Sequence, residues 1–304
     1  ERLEAGGSTN GASGLQLAYD TARQGFITGG TNRVILCTDG DFNVGITNQD
    51  ELVRLIEKEA KSGVFLSALG FGMGNYKDST LEKLADKGNG NYGYIDNERE
   101  ARKLFVEQMT GTLVTIAKDV KIQIEFNPAR VGAFRLLGYE NRILAHEDFN
   151  NDKKDAGEIG AGHTVTALYE VAPVGEDTGL PGVDPLKYQA KPRPAVAAAG
   201  NDDKTSNELL TVKLRYKEPE ADNSQLIEKP LVDESKPWAA MGSDYKFAAS
   251  VAAFGMLLRG SEHAGTATYA TVLEWATEGK GADLQGYRGE FIDLVRKAST
   301  LQRE

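Results

Sequence analysis

The spacing of apolar residues divides this chain into stretches of different grammar. Ala12, Leu15, Leu17, Ala18 and Ala22 recur at helical intervals and predict a helix from about Gly14 to Gln24. A turn rich in Gly and Thr follows, and then the unbroken apolar run Val34-Ile35-Leu36-Cys37. Such a run, bounded by turn residues, predicts a strand at 33–37 buried on both faces of a parallel sheet. Leu52, Leu55, Ile56 and Ala60 define the inner face of a second helix over 51–62, capped by Asn48 or Asp50 and stopped by Gly63. Residues 64–69 read as another buried strand, 79–87 as a helix, 92–95 as a short strand, and 98–116 as a last helix with Ala101, Leu104, Phe105 and Met109 inward. Strands alternating with helices predict an α/β architecture, a doubly wound parallel sheet with right-handed crossovers.

At about Lys118 the period changes to two. Val120, Ile122, Ile124 and Phe126 alternate with polar residues, as in a half-buried antiparallel strand. Similar alternation in 165–171 and 210–216, with a fainter instance in 134–139, predicts a small antiparallel β-sandwich. A long loop rich in Pro, Ala, Gly and Asp interrupts it at 173–207. From Pro237 onward the helical period returns, in segments at about 244–259, 269–277 and 283–298, with Trp238 and Trp275 expected to anchor them. The expected organisation is therefore an α/β domain over 1–117, a β-sandwich over 118–236 and a helical segment over 237–304.

Composition narrows the function classes. A net charge of −10 disfavours nucleic acid and anionic membrane surfaces as partners and favours cations. No apolar run approaches the roughly 18–20 residues that span a bilayer, so direct membrane insertion is not expected. The lone cysteine, Cys37, excludes an internal disulfide and is expected to pack as a small buried hydrophobe.

The chemistry-bearing stretch is Thr38-Asp39-Gly40-Asp41, directly after the first strand. In open α/β sheets ligands bind beyond the carboxyl ends of strands. Asp39 there is a metal ligand, a catalytic acid or base, or a turn carboxylate; Thr9, before the first helix, reads as a helix cap. Weaker signals lie elsewhere. Asp148, Asn150 and Asp152 begin like a calcium loop, but Gly at the sixth and Glu at the twelfth position are missing, which favours a solvated turn. Gly70, Gly72 and Gly74 have the wrong spacing for a dinucleotide fingerprint. His146, His163 and His263 have no paired spacing for zinc.

Gly-Gly-Ser-Thr-Asn (6–10), Val-Ile-Leu-Cys-Thr-Asp-Gly (34–40), Ala-Leu-Gly-Phe-Gly (68–72) and Gly-Asn-Gly-Asn-Tyr-Gly-Tyr-Ile (88–95) resemble the later motifs of a von Willebrand factor type A domain. Asn-Pro-Ala-Arg-Val (127–131), Gly-Tyr-Glu-Asn-Arg (138–142), Glu-Asp-Phe-Asn-Asn-Asp-Lys (147–153) and Gly-His-Thr-Val-Thr-Ala-Leu-Tyr-Glu (162–170) resemble the C-terminal region of bacterial YfbK-like proteins. The first resemblance implies a metal-ion-dependent adhesion site. Magnesium would be held by Thr9 and Asp39, and an acidic residue of a protein partner would complete its shell. The Asp-x-Ser-x-Ser motif of that family has no counterpart in the sequence, so the chain is expected to start partway through its type A domain with an incomplete site.

The expected function is non-enzymatic protein binding, in adhesion or assembly. The bacterial cell envelope or exterior is the implied location, and self-association through the edge of the strand at 33–37 is a further expectation. The alternatives are a structural scaffold without a metal site, and a metal-dependent hydrolase using Asp39 with Asp41 or Thr38.

Overall fold

The computed structural model describes residues 10–40, 48–73, 76–139, 143–154, 156–176 and 207–301. Helix α1 (Gly11–Gln24) begins at Asn10, whose side chain accepts from Ser13 N at 3.3 Å. Strand β1 (Arg33–Thr38) follows, then α2 (Gln49–Ala60). Asn48 is the cap of α2, accepting from Asp50 N and Glu51 N at 2.8 and 3.3 Å. Strand β2 (Phe65–Phe71), helix α3 (Asp78–Lys87) and strand β3 (Tyr92–Ile95) complete the expected alternation.

The three strands are parallel in the order β1-β2-β3. Thr38 pairs with Gly70, and Gly70 with Tyr94, so these residues share one level near the carboxyl ends. Leu15 and Tyr19 of α1, Leu52 and Ile56 of α2, and Leu81 and Leu84 of α3 close over Val34, Leu66 and Ala68 in one core. On β2 both faces are buried, as a central parallel strand requires.

β1 departs from that expectation. Val34 is buried, but Ile35 and Cys37 are exposed, so one face of this strand is covered and the other is open. Cys37 is therefore not the buried hydrophobe its apolar neighbours predicted. The physical reason is position: β1 stands at the end of the described sheet, and its apolar run does not encode which face receives a neighbour.

The helix expected over 98–116 is also different. It runs as α4 (Glu98–Arg102), a π-helical turn at Lys103–Glu107 closed by Gln108 N to Lys103 O at 2.8 Å, and α5 (Met109–Leu113). The wider turn breaks the 3.6-residue stripe. Leu104 stays inward, packed where β3 narrows to Gly93, whereas Phe105 and Met109 are exposed. Ile116 belongs to the next strand.

Antiparallel pairing begins with β4 (Thr115–Phe126), followed by β5 (Val131–Leu137), β6 (Gly157–Gly160), β7 (Leu168–Pro173), β8 (Glu208–Lys217) and β9 (Gln225–Val232). They form a four-stranded sheet in the order β6-β4-β8-β9 and a two-stranded sheet β5-β7. β6 and β9 were not anticipated: β6 is four residues long, and β9 is exposed at every position, so neither carries an alternating signal. Between Ala117 and Val120 the β4–β6 register slips, and Asp119 in this bulge takes a left-handed conformation (φ 52°).

The C-terminal helices are α6 (Ser243–Leu258), α7 (Tyr269–Glu278) and α8 (Tyr287–Leu301). Phe254, Val272 and Val295 form their core. Trp238 lies 4.7 Å from Trp275, ring centre to ring centre, as anchoring residues should.

The chain divides into two compact units: Glu1–Gln123 with Leu144–Thr164 and Val212–Glu228, and Ile124–Ile143 with Val165–Thr211 and Lys229–Glu304. Within the second, Arg135 of β5 donates Nε to Glu170 Oε2 of β7 at 2.6 Å and Nη2 to the His263 carbonyl at 3.1 Å. That one side chain ties the two-stranded sheet to the loop after α6.

Candidate functional site

The carboxyl ends of β1, β2 and β3 carry the residues singled out at Thr38-Asp39-Gly40. Asp39 is exposed, and its backbone is pinned: its carbonyl accepts from Lys77 N at 3.1 Å. Gly40 (φ 80°) makes the turn, and a Cβ there would fall 2.9 Å from Lys77 Cβ, so only glycine fits. Gly40 N donates to Thr38 Oγ1 at 3.1 Å. Facing Asp39 is Gly72, just beyond β2, where an added Cβ would come 3.8 Å from Asp39 Cβ.

Tyrosines that the sequence reading missed brace this rim. Tyr94 donates its hydroxyl to the Gly72 carbonyl at 2.7 Å. Tyr76 and Tyr92 join hydroxyls at 2.5 Å, and Tyr92 also donates to Asp78, the first residue of α3. Burial, then the bonds to Asp78 and Tyr76, push the Tyr92 phenol well above its ordinary range, so it stays protonated and available as a donor. The Tyr76 and Tyr94 rings are 4.9 Å apart. The segment opposite Asp39 is thus fixed from β3. Three tyrosines between 76 and 94 were visible in the sequence, but only the register of β2 on β3 shows that they converge.

Thr9 and Asp41 lie outside the described residues, and so does Gly74. Asp39 is therefore the one expected metal ligand that the structure places. Among the described residues no three His, Cys, Asp or Glu side chains come together as a metal-binding group. The described rim does not by itself fit a magnesium ion, which needs several oxygen donors in octahedral array.

The calcium-like stretch has other attachments. Asp148 pairs with Lys154 at 3.3 Å, Asn150 Oδ1 accepts from Arg215 at 2.9 Å, and Asp152 Oδ1 accepts from the Ser224 hydroxyl at 2.6 Å. The three side chains diverge to three partners. His146 meets Gln123 at 2.8 Å, and His263 lies 3.5 Å from Glu262.

A broad cavity of about 740 Å³ lies at the opposite, amino-terminal ends of β1 and β2, lined by residues including Asn32, Lys61, Phe65, Lys118 and Glu220. Beside it Arg33 enters the interior. It donates to Ser67 Oγ at 2.7 Å and to Thr115 Oγ1 at 2.8 Å, and burial lowers its guanidinium to about 10 despite the nearby Glu158 carboxylate. Arg33 thereby links the parallel sheet to β4 as a structural rivet.

A parallel α/β sheet with an acidic, tyrosine-braced rim, followed by antiparallel sheets and a helical end, is the class of molecule these observations define. Residues 111–301 match the family described as "Uncharacterized protein YfbK, C-terminal". Over 298 residues the chain is 46% identical to "Uncharacterized protein YfbK" of Escherichia coli (strain K12), covering 98% of this chain and 50% of that protein. The chain belongs to the YfbK family, and it spans about half the length of that relative. Among solved structures, it is similar to "von Willebrand factor type A from Catenulispora acidiphila" at a TM-score of 0.39 and 17% identity, over 97% of this chain and 64% of that one. Human COPII-coat protein Sec24c matches at 0.37 and 10%, over 87% of this chain and 35% of that one.

Proposed function

We propose that this chain is a non-enzymatic binding protein that recognises a protein partner at the rim formed by Asp39, Gly72 and the tyrosines behind them. The observation that carries this reading is Asp39 itself: an exposed carboxylate on a backbone fixed by Lys77 N and Gly40, at the strand ends where α/β sheets take their ligands. In this proposal Thr9 joins Asp39 in holding magnesium, and an acidic residue of the partner fills the remaining position. Location at the bacterial cell envelope or exterior is part of the same proposal. Among the described residues no helix is long and apolar enough to cross a membrane.

Calorimetric titration of the chain with magnesium and manganese tests the metal. The expected result is saturable heat only in a chain extended upstream to carry an Asp-x-Ser-x-Ser motif, and its loss there in Asp39→Ala, while hydrogen-exchange protection of β1 and β2 changes little, because Asp39 is exposed. Heat that survives Asp39→Ala refutes Asp39 as a ligand. Absence of heat in both the given and the extended chain favours the scaffold reading.

A further inference from the structure

Two lysines are among the most buried charged residues of those described. Lys121 on β4 is 3% exposed and Lys217 on β8 is 7% exposed. Both ammonium groups are spent on the loop before β6. Lys121 Nζ donates to the Asn151 carbonyl at 2.5 Å, and Lys217 Nζ donates to the Asp152 carbonyl at 2.7 Å. Two consecutive loop carbonyls thus face ammonium groups.

Lys217 is also paired from the strand side. Lys217 Nζ lies 2.6 Å from Asp119 Oδ2, and Asp119 Oδ1 accepts from Ala156 N at 3.2 Å, at the far end of the loop. Asp119 can reach both because it occupies the β4 bulge in a left-handed conformation, which aspartate tolerates better than most residues. Ser224 closes the arrangement, its hydroxyl donating to Asp152 and accepting from Arg215 at 2.9 Å.

We propose that the loop at 148–154 is organised by the chain's own groups: Lys121 and Lys217 hold its carbonyls, and the side chains of Asp148, Asn150 and Asp152 are taken by Lys154, Arg215 and Ser224. The loop is then a self-contained lock: its order depends on the two ammonium groups and is indifferent to calcium. Burial makes the dependence strong, because removing one partner from a buried charged group leaves the others unpaired. The loop also presents Lys153 and Lys154 on its exposed side, which gives a local reporter.

Limited trypsin digestion of the chain, with cleavage sites read by mass spectrometry, tests the proposal. Cleavage at Lys153 and Lys154 reports loop opening, and cleavage at Lys83 within α3 reports opening of the α/β core. In Lys217→Met and in Lys121→Met, loop cleavage is expected to rise at least about tenfold relative to cleavage at Lys83. In the parent chain it is expected to be the same in millimolar calcium and in EDTA. Unchanged loop cleavage in both variants overturns the proposal, and so does a marked slowing by calcium in the parent chain. A parallel rise at Lys83 in both variants also overturns it, since the lysines would then support the whole unit rather than this loop.

Discussion

Gly70→Ala is a sharp probe of the rim, because the residue sits on the central strand directly behind the tyrosines. Its backbone is not in the left-handed region, so alanine brings no conformational penalty of its own. The obstacle is contact: a Cβ at Gly70 would lie 1.8 Å from the Tyr76 hydroxyl oxygen and 2.5 Å from Cζ. Both are far inside the ~3.5 Å at which nonbonded carbon contacts become favourable. Tyr76 cannot tilt freely away, since its hydroxyl is bonded to Tyr92 and its ring lies against Tyr94. Overpacking of this kind costs ~1–3 kcal/mol, and breaking the Tyr76–Tyr92 hydrogen bond adds ~0.5–1.5 kcal/mol. The expected loss is therefore roughly 2–4 kcal/mol.

The chain has two compact units, so a single unfolding midpoint is a poor measure. Native-state hydrogen exchange of β2 and α3 reads the local free energy instead. A double-mutant cycle isolates the cause. Tyr76→Ala removes the clashing ring, and Gly70→Ala should then cost less than about 0.5 kcal/mol. Tyr76→Phe should not relieve it, because Cζ and Cε2 remain within 2.6 Å of the new methyl. An undiminished cost in the Tyr76→Ala background would refute the reasoning.

Two further outcomes are expected. Gly160→Ala should be far more damaging than Gly157→Ala on the same short strand: the first Cβ would sit 1.6 Å from the Gly111 carbonyl oxygen, which is backbone, while the second has nothing within 4 Å. A cost above about 3 kcal/mol for the first and a change of about 0.5 kcal/mol or less for the second, read as exchange protection of β4, are the values to check. In the helical unit, Lys246, and then Trp238, bond the Glu278 carboxylate and hold it below its usual value of 4.5. Its folded value is below its unfolded one, so its contribution is complete above pH 4.5 and is lost as pH falls through the folded value. Glu278→Gln should therefore flatten the acid limb of the stability profile of α6–α7, measured by exchange or by tryptophan fluorescence.

The local order of elements was legible in the sequence. Periods of 3.6 and 2 depend on how each segment meets its own core, so α1–α3, β1–β3 and the C-terminal helices could be read from apolar spacing alone. Asn48 as a cap and Asp39 at a strand end followed from backbone chemistry that needs only neighbouring residues. What depends on contacts across the chain was not legible. Whether Ile35 and Cys37 face a neighbour is decided by which strands flank β1, not by their hydrophobicity. The π-turn at Lys103–Glu107 defeats a 3.6-residue template by construction. The tyrosine brace behind Asp39 exists only in the register that sets Gly70 beside Tyr94. The stretch from Asp148 to Asp152 shows the same division most clearly. Its oxygen-rich spacing is a local property, whereas the lysines that hold its carbonyls come from β4 and β8, far away in sequence, and only the folded chain brings them there.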